Sequence, residues 1–282
     1  MEYIRSPINF TGSKYKLLPS IIPLLPDNIH TFVDLFGGGF NVGVNVNAER
    51  IWYNDSCIKF GELLWKFKHD DTDTILKNID GIIKNYSLSK TNQDGFLELR
   101  WDYNTSLYKY SLVFYVLMCY SFNNQFRFNS KGEYNMPFGK REFNTRLRNR
   151  LVKFCQELKK KDIDFYTCDF RRFLNSYVLF LGENDFVYAD PPYLNSVATY
   201  NENGGWTEED EQKLHKWLDF IDERGVKFAL SGNLKYDNPY LKEWMNKYYV
   251  HYLNADYNNC NYQKKDKSKD CEVLITNYEK ER

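Results

Sequence analysis

Residues 185–193 read Asp-Phe-Val-Tyr-Ala-Asp-Pro-Pro-Tyr, which predicts a buried strand that ends in a rigid turn. Its apolar run, Phe186–Ala189, is typical of an interior strand of a parallel sheet. The two prolines then end the strand, because proline offers no backbone N–H to a sheet. The turn therefore holds the carboxylate of Asp190 and the ring of Tyr193 at the carboxyl end of a strand, where open α/β sheets bind ligands. A structural proline turn with a capping acid is the alternative, and so short a motif does not exclude it.

A βαβ unit is predicted near the start of the chain. Thr31–Phe36 has the composition of a buried strand, and it runs directly into Gly37-Gly38-Gly39. The valines of residues 42–46 predict a helix after the glycine turn, and Ile51–Asp55 predicts a second strand that ends in an acid. Strand, glycine turn, helix, strand and acid follow one another in this way in nucleotide-binding units.

The glycine turn departs from the common nucleotide-binding fingerprints. Gly37 and Gly39 fit the first two positions of G-x-G-x-x-G, but Val42 occupies the third. No G-x-x-x-x-G-K-[S/T] sequence occurs, which excludes a P-loop. Glycines still let a backbone approach a ligand closely, and Asp55 is expected to accept hydrogen bonds from ribose hydroxyls. Capping of the following helix is the alternative role for Asp55.

The rest of the chain divides into a helical middle and a second α/β part. Residues 61–147 lose the strand–helix alternation and predict a helical insertion, so residues 1–60 and 148–282 are expected to form one interrupted α/β domain. Further helices are predicted through Leu17–Ile22, at 147–158, from Thr207 and at 240–248. Further strands are predicted at 163–167, 227–231, 249–253 and 272–276. A surface loop is predicted at 256–270.

The end of the helical middle has a composition suited to reading DNA. In the stretch from Phe122 through Arg141, Asn, Gln and Arg alternate with aromatic residues, and these polar side chains pair with base edges. Between Arg127 and Lys153 there are eight basic and two acidic residues, a local excess of six positive charges. Such an excess suits contacts with phosphates. A solvated face beside a hairpin-like loop is the alternative.

Composition restricts the classes of protein to which the chain belongs. The 282 residues carry no net charge and are 18% aromatic, which predicts a folded globular protein whose nucleic-acid binding depends on local charge. The six cysteines form no C-x-x-C pair and no Cys/His cluster, so we expect reduced thiols and no metal site. Neither a signal peptide nor a membrane span is evident. We expect a cytoplasmic protein without an obligate protein partner.

With these residues assembled, the chain resembles the Dam-type (D12 class) DNA adenine-N6 methyltransferases, most of all those of T-even phages. In sequence order the matching motifs are Asn9-Phe10-Thr11-Gly12-Ser13-Lys14, Asp34–Gly39, Asp55, the two hairpin segments Phe122–Arg127 and Pro137–Arg141, and Asp190-Pro191-Pro192-Tyr193. The resemblance covers nearly the whole chain. It implies an α/β fold: a Rossmann-like class I methyltransferase sheet with an inserted helical target-recognition domain.

The resemblance also implies roles for individual residues. The catalytic turn is Asp190, Pro191, Pro192 and Tyr193. The residues implied to bind S-adenosylmethionine are Phe10, Gly12, Lys14, Asp34, Phe36, Gly37, Gly38, Gly39, Asp55, Asp169, Phe170 and Asp190. The residues implied to bind double-stranded DNA are Phe122, Asn123, Asn124, Gln125, Arg127, Pro137, Lys140 and Arg141. For Asp169, a helix cap is the alternative.

The implied reaction is methylation of adenine N6 in duplex DNA, within GATC, after the base is flipped out of the helix. Two features depart from the family pattern: Gln125 stands where relatives often carry an apolar wedge, and the turn at 201–205 is enlarged. Whether the chain is a solitary, phage or restriction–modification methylase stays open. The competing interpretations are amino-group methylation of another substrate, such as cytosine N4 or an RNA base, and a catalytically silent DNA-binding homologue.

Overall fold

A seven-stranded sheet forms the centre of the protein in the computed structural model, which describes residues 2–195, 205–253 and 271–280. The strands are β1 Thr31–Asp34, β2 Arg50–Asn54, β3 Ile163–Tyr166, β4 Phe186–Ala189, β5 Lys227–Asn233, β6 Tyr249–Leu253 and β7 Glu272–Thr276. Their order across the sheet is β3-β2-β1-β4-β5-β7-β6. All pairs from β3 to β5 are parallel, whereas β7 runs antiparallel to both of its neighbours. The Rossmann-like class I methyltransferase sheet predicted from the sequence is confirmed.

Nine α-helices and several short 3-10 helices surround this sheet among the described residues. The α-helices are α1 Leu18–Ile21, α2 Ile58–His69, α3 Thr72–Asn85, α4 Gln93–Thr105, α5 Ser111–Tyr120, α6 Thr145–Lys160, α7 Phe170–Tyr177, α8 Glu208–Glu223 and α9 Pro239–Trp244. The 3-10 helices are Lys14–Leu17, Ile22–Leu24, Gly43–Asn45, Phe122–Asn124, Val178–Phe180 and Met245–Lys247.

Two apolar cores lie on opposite faces of the sheet, because neighbouring strand residues point to opposite sides. Phe32 packs with α2 to α6 on one face, and Val33 packs with α7 to α9 on the other. The helices of the predicted insertion therefore share one core with the sheet. The first of them, α2, begins at Ile58, three residues before the boundary expected at residue 61. The division into two domains stays a prediction.

The prediction of a helix after the glycine turn is wrong. Residues 42–46 contain only a single 3-10 turn, Gly43–Asn45. Val42, Val44 and Val46 are all buried at intervals of two residues, which is not the spacing of one helical face. The Asn45 side chain accepts a hydrogen bond from the backbone N–H of Ile4 at 2.7 Å and donates one to the carbonyl of Ile4 at 2.8 Å. These bonds hold the segment against the N-terminal residues instead of in a helix.

Several other sequence predictions can be compared with the structure. The short helix through Leu17–Ile22 is divided into a 3-10 turn, α1 and a second 3-10 turn, with a proline in each of the last two. The predicted surface loop at 256–270 and residues 201–204 of the enlarged turn lie outside the described residues. The five described cysteines are free, and no helix within the described ranges is long and apolar enough to cross a membrane.

Candidate active site

A cleft of about 800 Å³ opens at the carboxyl ends of β1, β2 and β4. Every residue that the sequence predicted as catalytic or cofactor-binding lines it: Phe10, Gly12, Lys14, Asp34, Phe36, Gly37, Gly38, Gly39, Asp55, Asp169, Phe170, Asp190, Pro191, Pro192 and Tyr193. These residues come from distant parts of the chain. They meet because the parallel strands end at the same edge of the sheet.

The glycine turn is shaped by packing against the protein itself. A Cβ atom on Gly37 would lie 2.3 Å from the ring of Tyr53, so only glycine fits there. Gly38 has a φ of +47°, a left-handed conformation that glycine adopts without strain. Its N–H donates to Asp55 Oδ2 at 2.9 Å, and its carbonyl accepts from the Tyr53 hydroxyl at 3.0 Å. The turn is therefore held rigidly over the end of β2.

Asp55 connects this turn to the start of α2. Its Oδ1 accepts the N–H of Cys57, the residue that precedes the helix, at 2.8 Å. Asp55 does not cap α2, because the N-cap of that helix is Cys57 and no side chain bonds to its first turn; the Asp55 carboxylate lines the cleft instead. Burial raises the pKa of Asp55 to about 6, although its hydrogen bonds from Cys57 and Gly38 lower it.

Asp34 is a second buried acid at the cleft. It is the last residue of β1 and accepts the N–H of Gly43 at 3.1 Å. Burial, and then the nearby carboxylates of Asp190 and Asp55, raise the pKa of Asp34 to about 8. Three acids thus face one cavity, and the repulsion of Asp190 and Asp55 disfavours the negative charge of Asp34.

Lys14 and Asp190 form a buried ion pair at the proline turn. The Lys14 Nζ and Asp190 Oδ1 atoms lie 2.7 Å apart, with side chains 3% and 19% exposed. The same ammonium donates to the Gly12 carbonyl at 3.1 Å. Burial alone would lower the pKa of Lys14, but Asp190 and Glu272 outweigh it and raise that pKa. Burial raises the pKa of Asp190, and Lys14 opposes this rise.

Tyr193 is fixed by a buried carboxylate that the sequence analysis did not identify. Its hydroxyl donates to Glu272 Oε2 at 2.8 Å, and the Asn233 side chain donates to Glu272 Oε1 at 3.0 Å. The Lys14 ammonium lies 5.1 Å from the centre of the Tyr193 ring. Burial, then Asp190 and Glu272, raise the pKa of Tyr193 well above its usual value, so the phenol stays protonated and donates.

Glu272 reaches the site because β7 is antiparallel. It is the first residue of β7 and lies opposite Asn233, the last residue of β5. The start of an antiparallel strand lies at the edge where its parallel neighbours end. The available signal in the sequence was an acid at the start of the last predicted strand. The sequence does not reveal that this strand is antiparallel, so it could not place Glu272 at the cleft.

An aromatic wall closes the other side of the cleft. Phe36, Phe170 and Trp206 pack together with ring centres 5.3–5.6 Å apart. The Trp206 ring N–H donates to the buried Glu211 carboxylate at 2.5 Å, and the Asn238 side chain donates to the same carboxylate at 2.8 Å. Trp206 was also missed by the sequence analysis, because it follows the enlarged turn and belongs to no motif.

Asp169 caps a helix, which is the alternative role that the sequence offered for it. It is the N-cap of α7, and its Oδ1 accepts the N–H of Arg171 at 2.9 Å. The guanidinium of Arg171 also makes two 2.7 Å hydrogen bonds to Asp169, and these bonds lower the pKa of the carboxyl group. Because the side chain still lines the cleft, capping and ligand binding are compatible here.

The predicted DNA-reading segments form an irregular hairpin beside the cleft. The backbone N–H of Phe122 donates to the Pro137 carbonyl, and that of Asn135 donates to the Arg127 carbonyl. Asn123, Asn124 and Lys140 have positive φ angles. The eight residues predicted to bind DNA, namely Phe122, Asn123, Asn124, Gln125, Arg127, Pro137, Lys140 and Arg141, lie in this hairpin and not among the residues that line the cleft.

Two contacts join the hairpin to the N-terminal segment that lines the cleft. Phe126 lines the cleft and packs against Phe10, with ring centres 5.6 Å apart. The Asn9 side chain donates to the Asn123 carbonyl at 2.7 Å. Arg127 is half-buried, and its Nε donates to the Asn135 side chain at 2.9 Å. Phe122 is 52% exposed, so the hairpin presents an apolar side chain to solvent.

Several curated proteins are similar to this chain over nearly all of its length. Among curated relatives, the type II methyltransferase M.FokI of Planomicrobium okeanokoites is 44% identical over 98% of this chain and 43% of its own length. The modification methylase StsI of Streptococcus sanguinis is 40% identical over 99% of this chain and 43% of its own. This chain therefore spans less than half the length of these two relatives. A DNA adenine methylase of Haemophilus influenzae is 25% identical over 66% of this chain.

The match to a protein family covers most of the chain. The family model described as D12 class N6 adenine-specific DNA methyltransferase matches residues 10–259, from the N-terminal cleft segment to beyond β6. That range includes the glycine turn, the hairpin and the proline turn. The chain belongs to the D12 class N6 adenine-specific DNA methyltransferase family.

Proposed function

We propose that this chain transfers a methyl group from S-adenosylmethionine to N6 of a flipped-out adenine in double-stranded DNA. The observation that carries the proposal is the convergence of the Asp190-Pro191-Pro192-Tyr193 turn, the glycine turn, Asp34 and Asp55 on one cleft. Family membership supplies the reaction class. Residues 61–147 would act as the target-recognition part.

The chemistry of the cleft suits this methyl donor. S-Adenosylmethionine supplies a methyl group activated by a positively charged sulfonium. Burial raises the pKa values of Asp34 and Asp55, and a cation bound beside their carboxylates would favour the charged forms. Phe36, Phe170 and Trp206 offer flat apolar surfaces to an adenine ring. The volume of the cleft, about 800 Å³, is within the range of ligand sites.

The proline turn would position and polarise the acceptor amine. Adenine N6 is a weak nucleophile, because its lone pair is conjugated with the ring. The Asp190 carboxylate and the Pro191 carbonyl would each accept one N6 hydrogen, which orients the amine and stabilises the positive charge that develops on it. Tyr193 would stack on the flipped base. Its hydroxyl bond to Glu272 keeps the ring in one orientation.

The proposal is tested by measuring labelled methyl incorporation into matched duplex DNA, single-stranded DNA, RNA and protein substrates. We expect incorporation into duplex DNA, recovered as N6-methyladenine. Recovery of N4-methylcytosine, or labelling of RNA or protein only, would show that the methyl acceptor is not adenine in duplex DNA. No incorporation into any substrate would favour the catalytically silent homologue.

The recognition sequence we propose to test first is GATC, on the resemblance to Dam-type enzymes. Adenine-methylation sequencing of DNA from cells that express the chain gives the site directly. Modification at a different motif would retain the proposed reaction and reject GATC.

Replacement of Arg127 is expected to change base preference. Arginine distinguishes guanine through paired hydrogen bonds in the major groove, worth about 1–3 kcal/mol per contact. In Arg127→Ala, methylation of the cognate site should fall about 10- to 100-fold relative to sites altered at one base pair. The measurement is a set of kcat/KM values on singly substituted duplexes. A uniform loss on all sequences would instead make Arg127 a phosphate contact.

Donor binding is expected to tighten as the pH rises from 6 to 8. A carboxyl group of pKa about 8, such as Asp34, is protonated at pH 6. A cation bound nearby favours the carboxylate, so binding releases a proton and strengthens by up to about tenfold per pH unit for each proton released. Calorimetry in buffers of different ionisation enthalpy would count the protons. S-Adenosylhomocysteine lacks the sulfonium, so its binding affinity should depend less steeply on pH. If the affinity for the donor does not change with pH, the assignment of Asp34 to the donor site is contradicted.

A further inference from the structure

Three arginines form a positive ridge outside the cleft and outside the hairpin. Arg146 and Arg150 belong to α6, and Arg5 belongs to the N-terminal segment. We call Arg5, Arg146 and Arg150 the basic ridge. Arg146 and Arg150 are four residues apart, so they lie on the same face of the helix.

The N-terminal segment lies along that face of α6. The Glu2 carboxylate is 3.8 Å from the ammonium of Lys153, which is one further turn along the same face. Arg5 is anchored on both sides, because the N–H groups of Ile4 and Ser6 donate to the side chains of Asn45 and Asn41, respectively. Its guanidinium lies 5.2 Å from the centre of the Tyr15 ring. Arg5 is therefore held in place by backbone hydrogen bonds and an aromatic ring, with no acidic partner among the residues that the structure describes.

The ridge is a cluster of like charges. In the described parts of the chain, no carboxylate lies within ion-pair distance of Arg5, Arg146 or Arg150. Burial, and then Arg5 and Arg146, lower the pKa of Arg150, which is the direction expected when positive groups repel one another. Folding has thus brought three guanidinium groups together against their mutual repulsion, which an external anion would relieve.

Arg148, on the same helix, provides the contrast. At 3.6 residues per turn it lies roughly 200° around the axis from Arg146, on the side that faces α3. Its guanidinium forms an ion pair with Asp80 of α3. One side of α6 therefore carries an arginine that is neutralised by Asp80, and the other side carries two arginines that no carboxylate of the described ranges neutralises.

The ridge is close to the hairpin and the cleft along the chain. Asn9, which bonds to the hairpin at Asn123, is four residues after Arg5, and Phe10 already lines the cleft. Five residues of extended chain span at most about 18 Å, so Arg5 is within that distance of Phe10. The N-terminus of α6 follows the hairpin directly.

We propose that the basic ridge binds the sugar–phosphate backbone of duplex DNA beside the recognition site. This proposal rests on the proposed function, since it assigns a second contact to the same substrate. Guanidinium groups pair with phosphate oxygens, and such contacts position a protein on DNA without reading its sequence. The ridge would hold the duplex while the hairpin reads bases.

The test is the salt dependence of binding to one duplex, measured for the wild type, the triple variant Arg5→Ala/Arg146→Ala/Arg150→Ala and the control Arg148→Ala. Each neutralised phosphate contributes about 0.9 to the slope of log K against log salt, so the triple variant should lose about 2–3 from that slope. Arg148→Ala should retain the wild-type slope. The ratio of cognate to non-cognate binding should stay within about twofold in the triple variant, because phosphate contacts do not read sequence.

Thermal unfolding without DNA separates a binding defect from a folding defect. Removal of three mutually repelling charges should leave the Tm of the triple variant unchanged or raise it. If the triple variant keeps the wild-type salt slope, while the wild type binds and methylates DNA, only the proposal that the basic ridge binds phosphates is rejected. A wild type that binds no duplex would overturn the proposed function together with the ridge.

Discussion

The rate of methyl transfer is expected to fall by about 10³-fold when Asp190 is replaced by asparagine, a loss typical of removing one preorganised charge from an active site. Asparagine has nearly the same shape and still accepts a hydrogen bond from the amine, but it carries no charge. Lys14 would remain beside the amine as a cation without its partner. It would then repel the positive charge that develops on N6. Single-turnover kinetics with saturating donor and duplex would measure the chemical step.

Two measurements restrict the interpretation of that loss. Donor and DNA affinities of Asp190→Asn should stay within about tenfold of the wild type, since the main effect is expected in the transition state. Asp237→Asn is the matched control, because Asp237 has an 88% exposed side chain and pairs with Lys242 on the surface. Turnover of Asp190→Asn close to that of the control would remove Asp190 from the catalytic role.

Replacement of Lys14 by methionine is expected to lower the free energy of unfolding by about 3–5 kcal/mol, the usual cost of breaking a buried ion pair from one side. Asp190 would lose the counter-charge 2.7 Å away, and the buried Glu272 would lose its nearby cation. Methionine fills a similar volume, so the loss reports charge more than packing. Denaturant unfolding at pH 7 measures the difference.

A double variant distinguishes the ion pair from packing. Lys14→Met/Asp190→Asn should recover a large part of the lost stability, because the uncompensated carboxylate is removed. Lys16→Met, on an exposed lysine two residues away, should cost less than about 1 kcal/mol. Additive losses in the double variant would mean that the two side chains are not energetically coupled.

Much of the cleft was predictable because its residues are local to strand ends. A glycine turn after one strand and an acid after the next come together in any parallel sheet, so Gly37, Asp55 and Asp190 could be placed from sequence alone. The short-range pattern of the hairpin was predictable for the same reason. In each case the chemical group is adjacent in sequence to the element that positions it.

The remaining features depended on contacts that are distant in sequence. Glu272 joins the site through the direction of β7, and Trp206 is oriented by a hydrogen bond to Glu211. The expected helix after the glycine turn is replaced by bonds from Asn41 and Asn45 to the N-terminal segment. A local apolar pattern cannot reveal such partners, because it records burial and not the residue that causes it.

The position of Glu272 has a consequence for the protein during translation. It is made 82 residues after Asp190, as 272 minus 190. At ribosomal speeds of about 5–20 residues per second, that interval lasts roughly 4–16 s. Until β7 emerges, the nascent chain holds Lys14 and Asp190 but leaves Tyr193 without the carboxylate that orients it. A ribosome stalled before β7 would therefore carry both the glycine turn and the proline turn and still lack the carboxylate that orients Tyr193.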